Sequence, residues 1–207
     1  IYTITVSDAN NCTATPTATV TEPTAITATT NTISSTCGQS NGSAGVIAGG
    51  GTGVLAYSWN TGATTTIITN QPAGTYTVTV TDGNGCTQTA TAAITNEAGP
   101  VINTITPANV TCNGGSNGSI NVTVSGGTAP LSYSWNNGSS TQSINTIPAG
   151  IYTITVSDAN NCTATASATI SEPTAITATT NTISSTCGQS NGSAGVIAGG
   201  GTGVLAY

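Results

Sequence analysis

Apolar and threonine side chains alternate along several short segments of the chain. In the clearest of them residues 75–81 read Thr-Tyr-Thr-Val-Thr-Val-Thr, so that Tyr76, Val78 and Val80 share one face of an extended backbone. Successive side chains of a strand point to opposite faces, so this period of two predicts a strand with the apolar residues inward and the threonines toward solvent. The chain begins with Ile-Tyr-Thr-Ile-Thr-Val, in the middle of the same pattern. We therefore expect it to be part of a longer protein.

Turn-forming residues divide this part of the chain into short strands. A glycine-rich turn is predicted at 49–53, and others at Gln-Pro-Ala-Gly (71–74) and Asp-Gly-Asn-Gly (82–85). The strands between them are predicted at 25–35, 43–48, 54–59, 64–69, 75–81 and 87–95. Short strands separated by such turns predict two antiparallel sheets packed as a sandwich.

The pattern repeats along the chain. Residues 151–207 repeat residues 1–57 with four changes, and a weaker half-period of 75 residues separates Glu22, Glu97 and Glu172. Solenoid repeats that share a core are shorter, about 20–50 residues, so each unit here is predicted to be a small domain. The predicted boundaries give a C-terminal fragment of a repeat, two complete immunoglobulin-like repeats and an N-terminal fragment, at 1–23, 24–98, 99–173 and 174–207.

The predicted fold is all-β, a tandem series of immunoglobulin-like (PKD-like) antiparallel β-sandwich repeats of about 75 residues. Trp59 and Trp135 occupy the third strand of their units, where such sandwiches keep a core tryptophan. Tyr76 and Tyr152 open the penultimate strand, the position of the tyrosine corner. We predict a structural core role for all four side chains.

Composition excludes several classes of partner. The chain has no Lys, Arg or His, and its six acidic residues give a net charge of −6 at pH 7. Nucleic-acid binding needs cationic side chains that displace counterions from phosphates, so no nucleic acid is expected as a partner. Anionic membrane surfaces repel an acidic chain as well, and no apolar run of about 18 residues predicts membrane insertion of this segment.

Six cysteines without a histidine or a Cys-x-x-Cys pair favour disulfides in an oxidising compartment over zinc sites. One arrangement pairs cysteines within each repeat, Cys37 with Cys86 and Cys112 with Cys162, and leaves Cys12 and Cys187 to partners outside the chain. The alternative pairs Cys37 with Cys162 across successive repeats. The first and last hairpin turns of a sandwich lie about 30 Å apart, whereas a disulfide spans about 4.4–6.8 Å between Cα atoms. Bonds between chains are the third possibility.

The sequence offers little catalytic chemistry. A Ser or Cys nucleophile has no His or Lys base, and each unit has one Asp and one Glu, at opposite ends of its last predicted strand. We therefore expect no enzyme activity and no cofactor. Asp8, Asp82 and Asp158 each begin an Asp-x-Asn turn, a weak calcium signal that a turn stabilised by Asp and Asn side chains explains equally.

Three linked motifs carry a resemblance to a known family. They begin at Thr111 (Thr-Cys-Asn-Gly-Gly-Ser-Asn-Gly-Ser), at Ser125 (Ser-Gly-Gly-Thr-Ala-Pro-Leu-Ser-Tyr-Ser-Trp) and at Pro148 (Pro-Ala-Gly-Ile-Tyr-Thr-Ile-Thr-Val-Ser-Asp-Ala-Asn-Asn-Cys). Together they resemble the SprB-type repeats of Bacteroidetes cell-surface adhesins. The resemblance implies a large protein exported by the type IX system and displayed at the cell surface, and some such proteins serve gliding motility.

Near-identical units imply a geometric role, so the first hypothesis is an extracellular structural or adhesive fibre that acts as a surface spacer. Its partners are then neighbouring repeats of the same chain. The second hypothesis is that the repeats bind surface glycans multivalently, with weak contacts multiplied along the array. The third is self-assembly with other copies into a multichain filament, aided by threonine-rich strand faces and weak charge repulsion.

Overall fold

The computed structural model describes residues 1–206, and all regular secondary structure in that range is β-strand. In chain order the strands are β1 (Tyr2–Thr3), β2 (Val6–Ser7), β3 (Thr13–Ala14), β4 (Thr17–Ala18), β5 (Thr27–Ile33), β6 (Ser35–Thr36), β7 (Gly42–Gly49), β8 (Ala56–Trp59), β9 (Ile67–Gln71), β10 (Gly74–Thr81), β11 (Thr87–Ile94), β12 (Asn96–Glu97), β13 (Pro100–Ala108), β14 (Gly118–Gly126), β15 (Ser132–Trp135), β16 (Ile144–Ile147), β17 (Gly150–Ser157), β18 (Thr163–Ile170), β19 (Thr177–Ile183) and β20 (Ser193–Gly199).

The chain divides into two compact units. The first comprises Ile1–Ser35 and Gln39–Asn96, and the second comprises Thr36–Gly38 and the chain from Glu97 onward. The short segment around Cys37 therefore clusters with the second unit, although the sequence repeat places it at 24–98. Strands β6 and β12 form a two-stranded sheet.

The first unit contains an immunoglobulin-like sandwich of two antiparallel sheets, in the strand orders β5-β7-β9 and β8-β10-β11. Along β10 the side chains of Tyr76, Val78 and Val80 are buried, because the alternation with threonine turns all three toward the same core. Val78 lies opposite Trp59 of β8 in the register of the sheet. Burial of one such side chain stabilises the fold by about 1.5–3 kcal/mol.

The second unit contains a sandwich with the same arrangement, in the orders β13-β14-β16 and β15-β17-β18. Ile154 of β17 lies opposite Trp135 of β15, as Val78 lies opposite Trp59 in the first unit. Tyr152, Ile154 and Val156 alternate along β17 and are buried. The fold is thus a series of immunoglobulin-like β-sandwich repeats. The hairpin β19–β20 also belongs to this unit.

Most predicted strands of the first complete repeat are present, with two differences. The predicted strand 25–35 is interrupted after Ile33 and resumes as β6. The strand predicted at 64–69 begins instead at Ile67. The backbone before it is turned toward Trp59, because the Thr65 carbonyl oxygen accepts a hydrogen bond of 2.8 Å from the indole N–H.

The segments at the two ends of the chain carry repeat sequence without a complete sandwich around it. In residues 1–23 the strands form only the short pairs β1–β4 and β2–β3. Ile4 is 62% exposed, whereas Ile154, which occupies the same repeat position, is 0% exposed. The apolar face of the repeat is therefore buried only where both of its sheets are present.

Candidate functional site

The Asp-x-Asn-x-Cys turn before the last strand of each repeat is held by the aspartate side chain. In the turn before β18, Asp158 Oδ1 accepts hydrogen bonds from the backbone N–H groups of Asn160 (2.9 Å) and Cys162 (2.8 Å). Asp158 Oδ2 accepts a third from the N–H of Thr128, at 2.9 Å. The aspartate thus shapes its own turn and ties it to a loop 30 residues earlier.

The first complete repeat builds the same contacts around Asp82. Its carboxylate accepts N–H bonds from Asn84 (3.0 Å), Cys86 (2.9 Å) and, in the earlier loop, Thr52 (2.9 Å). The Gly83 N–H donates in return to the Thr52 carbonyl oxygen at 2.7 Å. In the fragment 1–23, Asp8 accepts the two bonds within its own turn, from Asn10 at 2.9 Å and Cys12 at 2.8 Å.

These hydrogen bonds lower the pKa of the two buried aspartates. The N–H of Thr52 makes the largest contribution to lowering the pKa of Asp82, against a smaller opposing effect of burial, and Thr128 has the same effect on the pKa of Asp158. Donors to a carboxylate stabilise its ionised form. A calcium ion would need about six to eight oxygen ligands, whereas these carboxylate oxygens face N–H groups, so a structural turn accounts for Asp8, Asp82 and Asp158. No cluster of three or more metal-ligating side chains occurs within residues 1–206.

The aromatic side chains with a predicted core role lie inside the two sandwiches. Trp59 and Trp135 are buried, and each indole N–H donates to a backbone carbonyl oxygen, of Thr65 and Thr141 respectively, at 2.8 Å. The hydroxyl of Tyr76 donates to the Pro72 carbonyl oxygen at 2.8 Å, and that of Tyr152 donates to Pro148 at 3.0 Å. This bond to a carbonyl four residues upstream is the geometry of a tyrosine corner.

One disulfide is present among the described residues, and it joins Cys37 to Cys162 with a Cα–Cα distance of 5.3 Å. Cys162 is buried against Gly99, where a Cβ atom would come within 2.8 Å of the cysteine Cβ. This is the pairing between successive sequence repeats. The remaining cysteines are exposed and unbonded, namely Cys12, Cys86, Cys112 and Cys187.

The pairing within each repeat, Cys37 with Cys86 and Cys112 with Cys162, is therefore wrong for this structure. Cys162 comes directly before β18, whereas Gly114, close to Cys112, donates its N–H to the Glu172 carboxylate beyond the other end of that strand. The eight residues of β18 span about 26 Å at 3.3 Å per residue, too far for a disulfide. Cys37 is bonded to Cys162, which excludes its pairing with Cys86.

Residues 104–140 match the family model of the SprB repeat. This part of the chain is similar to an SprB repeat. The match runs from β13 through the turn after β15, and it includes Cys112, Trp135 and the Gly127-Thr128 loop that holds Asp158. This similarity supports an adhesive, extracellular repeat protein.

The chain is also similar to solved structures. A calcium-stabilised adhesin with which an Antarctic bacterium binds ice is 20% identical, with a TM-score of 0.42, over 86% of this chain and 58% of that one. The first eight immunoglobulin domains of Down syndrome cell adhesion molecule are 14% identical, with a TM-score of 0.35, over 70% of this chain and 25% of that one. Murine CEACAM1b is 16% identical, with a TM-score of 0.30, over 70% of this chain and all of that one. No curated protein sequence matches.

The loop that receives each Asp-x-Asn-x-Cys turn was not predicted from the sequence. Gly51-Thr52 and Gly127-Thr128 perform this task in the two complete repeats, and Gly201-Thr202 is the third copy. The Gly-Thr pair that recurs about 30 residues before Asp82 and before Asp158 was the available signal. Beside the third loop lies a cavity of about 440 Å³, lined by Thr111, Cys112, Asn113, Pro173, Thr174, Ala175, Ile176, Gly201 and Thr202.

Proposed function

We propose that this chain is part of an extracellular structural fibre in which tandem SprB-type repeats act as a spacer at the cell surface. The proposal includes export by the type IX system, which the SprB resemblance implies, and it does not extend to gliding. The repeats themselves do no chemistry. Their task is to extend a chain outward and hold it together in an oxidising environment.

The observation that carries the proposal is that each complete repeat builds the same sandwich around its own aromatic side chains. The two sandwiches have the same strand order, and the same pair of strand positions holds Trp59 with Val78 and Trp135 with Ile154. A repeat that closes its own core can be added to a chain many times without change to its neighbours. Such a series suits a spacer, because each added repeat increases the length of the chain.

The side chains of the repeats favour a structural role over a chemical one. The chain has no Lys, Arg or His, and the buried carboxylates of Asp82 and Asp158 are taken up by backbone N–H donors. The tryptophans, which glycan-binding proteins often expose, are buried in the cores here. The disulfide between Cys37 and Cys162 closes a loop of 125 residues, which resists unfolding in a fibre under load.

Electron microscopy of chains with increasing numbers of repeats tests the spacer role. The chain is compared with versions lengthened by one and by two further 150-residue periods. We expect single threads whose contour length increases by an equal increment for each added period. Lengthened chains that collapse into particles with no increase in length would contradict the spacer role.

A glycan array probed with the same chains tests the alternative function, multivalent glycan binding. Retention that rises steeply with repeat number would assign the binding function to the repeats.

A further inference from the structure

The Asp158–Cys162 turn in the second unit is held by a contact site with two parts. Thr128 forms the first part: its N–H donates to the Asp158 carboxylate, its carbonyl oxygen accepts the Ala159 N–H, and its hydroxyl accepts the Asn160 side-chain amide, all at 2.9 Å. Cys37 forms the second part through its disulfide with Cys162. The turn is therefore fixed at its beginning by hydrogen bonds and at its end by a covalent bond.

The first unit has the hydrogen-bonded part of this contact site as well. Thr52 donates its N–H to Asp82 at 2.9 Å, and its carbonyl oxygen accepts the Gly83 N–H at 2.7 Å. The glycine before the threonine allows the close approach of the aspartate. A Cβ atom on Gly51 would lie 2.9 Å from the Asp82 Cβ, and one on Gly127 would lie 3.2 Å from the Asp158 Cβ.

The third copy of this loop has the same backbone conformation and no aspartate beside it. Gly201 has a φ of 71°, against 68° at Gly51 and 73° at Gly127, a left-handed conformation that favours glycine. The cavity of about 440 Å³ lies at this loop, and Gly201, Thr202 and Cys112 are among its lining residues. The threonine loop and the cysteine that correspond to the two parts of the contact site thus line one cavity within the second unit.

We propose that this cavity is the seat for a third Asp-x-Asn-x-Cys hairpin turn, whose aspartate binds the Thr202 N–H and whose cysteine forms a disulfide with Cys112. The occupant is the last hairpin turn of the repeat that residues 174–207 begin, of the same sequence type as Asp82–Cys86. The inference rests on the proposed repeat array, because it requires a further complete repeat. To the proposed repeat array it adds a rule of assembly, in which each repeat is bonded covalently to the next repeat.

The free cysteines fit this rule. Cys112 occupies the repeat position of Cys37, and Cys86 occupies that of Cys162. Under the rule Cys86 pairs with a cysteine of a preceding repeat and Cys112 pairs with one of a following repeat. Both are exposed and unbonded in the structure.

The bond forms by thiol–disulfide exchange with an oxidant that carries a disulfide, such as oxidised glutathione or a thiol–disulfide oxidoreductase. The Cys112 thiolate attacks the oxidant disulfide and gives a mixed disulfide with loss of one thiolate. The thiolate of the incoming turn then displaces the second thiolate. Two cysteine thiols lose two electrons and two protons, one S–S bond forms, and the oxidant disulfide is reduced to two thiols.

Two differences separate the third seat from the occupied one. The loop between the cysteine and the next strand is one residue longer after Cys112 than after Cys37, since β14 begins at Gly118 and β7 at Gly42. The backbone position of Gly99, which packs against Cys162, is occupied by Ala175 beside the cavity. Ala25 has the same position in the first unit, where the Asp82 turn is nevertheless seated on Thr52. Alanine at this position is therefore compatible with a turn that is held by its aspartate and whose cysteine, Cys86, is not in a disulfide.

A lengthened chain tests the proposal by direct mapping of the disulfides. The sequence Ser58–Glu97 is appended after residue 207, which continues the repeat, and the original Cys86 is replaced (C86S) so that its peptide differs in mass from the appended copy. The protein is oxidised with a glutathione buffer, alkylated and digested with Asp-N and Glu-C proteases. The six acidic residues of the chain separate its six cysteines, so each cysteine lies on a peptide of its own.

We expect the Cys112 peptide to be linked to the appended copy of the Cys86 peptide, and Cys112 to lose its reaction with the alkylating reagent. In the chain of 207 residues Cys112 is expected to react fully. Replacing the aspartate of the appended turn with alanine should reduce the linked fraction several-fold, and Ala175→Gly should leave it unchanged or raise it. The matched control, Asp8→Ala in the fragment 1–23, should have no effect on it.

Alkylation of Cys112 in the lengthened chain, or its linkage to Cys187 or to a second chain, would overturn the proposal. An appended repeat that does not fold, seen as solvent-exposed fluorescence of its tryptophan, would overturn it too, because the seat is built from that repeat. The contour length of the same lengthened chain is measured separately. A longer thread with a free Cys112 would therefore reject the seat and leave the spacer role standing.

Discussion

Asp158 accepts a hydrogen bond of 2.9 Å from the backbone N–H of Thr128, a residue 30 positions earlier in the chain. The bond fixes the final hairpin turn of the repeat to the glycine-threonine loop between β14 and β15. With the N–H groups of Asn160 and Cys162 it surrounds the carboxylate with donors. An ionised aspartate is therefore a structural part of this fold.

This arrangement predicts acid sensitivity. The pKa of Asp158 and that of Asp82 are lowered from 3.8 in the folded protein, so the unfolded chain binds protons first as the pH falls. The stabilisation is fully present above about pH 4, and it is lost as the pH falls through the folded-state values. Thermal unfolding followed by circular dichroism should show a melting temperature that decreases below about pH 4.

Asp158→Asn provides the corresponding variant, since the neutral amide places N–H donors against backbone N–H donors. We expect a melting temperature below that of the parent at pH 7 and a weaker dependence on pH in the acid range. Asp8→Asn, in the exposed turn of the fragment 1–23, is the matched control and should change little. Equal acid dependence in the parent and in Asp158→Asn would show that this carboxylate does not set it.

Calcium should have no effect on stability. The carboxylates of Asp82 and Asp158 accept three backbone N–H bonds each, and N–H dipoles that converge on a site repel a cation. Calorimetry in millimolar calcium and in chelator should give the same melting temperature. A clear increase with calcium would mean that these turns open to bind the ion.

The disulfide predicts a large effect of Cys37→Ser. Removal of a crosslink that closes a long loop costs about 2–4 kcal/mol, and the Cys37–Cys162 loop spans 125 residues. Urea unfolding of the oxidised protein measures the change. Cys86→Ser, at an exposed unbonded cysteine, is the control and should leave the free energy of unfolding within about 0.5 kcal/mol of the parent. A loss of similar size in both variants would exclude a specific role of the bond.

The tyrosine corner predicts a smaller loss in the free energy of unfolding. Tyr152→Phe removes the hydroxyl that donates to the Pro148 carbonyl oxygen and keeps the buried ring, so the expected cost is about 0.5–1.5 kcal/mol. Tyr57→Phe, on a half-buried ring of β8, is the comparison and should cost less. Denaturant unfolding measures both, and a neutral Tyr152→Phe would mean that the hydrogen bond adds nothing to the fold.

The hydrophobic core predicts the largest loss in the free energy of unfolding from a single substitution. Trp59 is 2% exposed and packs in the sandwich of the first unit, so Trp59→Ala should cost about 3–5 kcal/mol. Ile47 lies on the outer face of β7 and is 67% exposed, so Ile47→Ala should cost less than about 0.5 kcal/mol. Unfolding monitored by circular dichroism separates the two, and similar losses would contradict the assignment of inner and outer faces.

The sequence by itself determined the all-β class, the repeat and the inward face of β10. A period of two places Tyr76, Val78 and Val80 on one side of an extended backbone wherever that backbone lies. Local chemistry also determined the turns, because an aspartate bonds the N–H groups two and four residues ahead without help from the rest of the chain.

Only the tertiary structure decided which faces are buried and which cysteines meet. The hairpins β5–β7 and β19–β20 have the same sequence and the same register, yet Ala44 is 1% exposed and its copy Ala194 is exposed. Pairing within a hairpin depends on neighbouring residues, whereas burial needs a second sheet that comes from elsewhere in the chain. Cys37 and Cys112 likewise occupy the same repeat position, and only Cys37 has a partner, because a disulfide requires two sulfur atoms that the fold has already brought together.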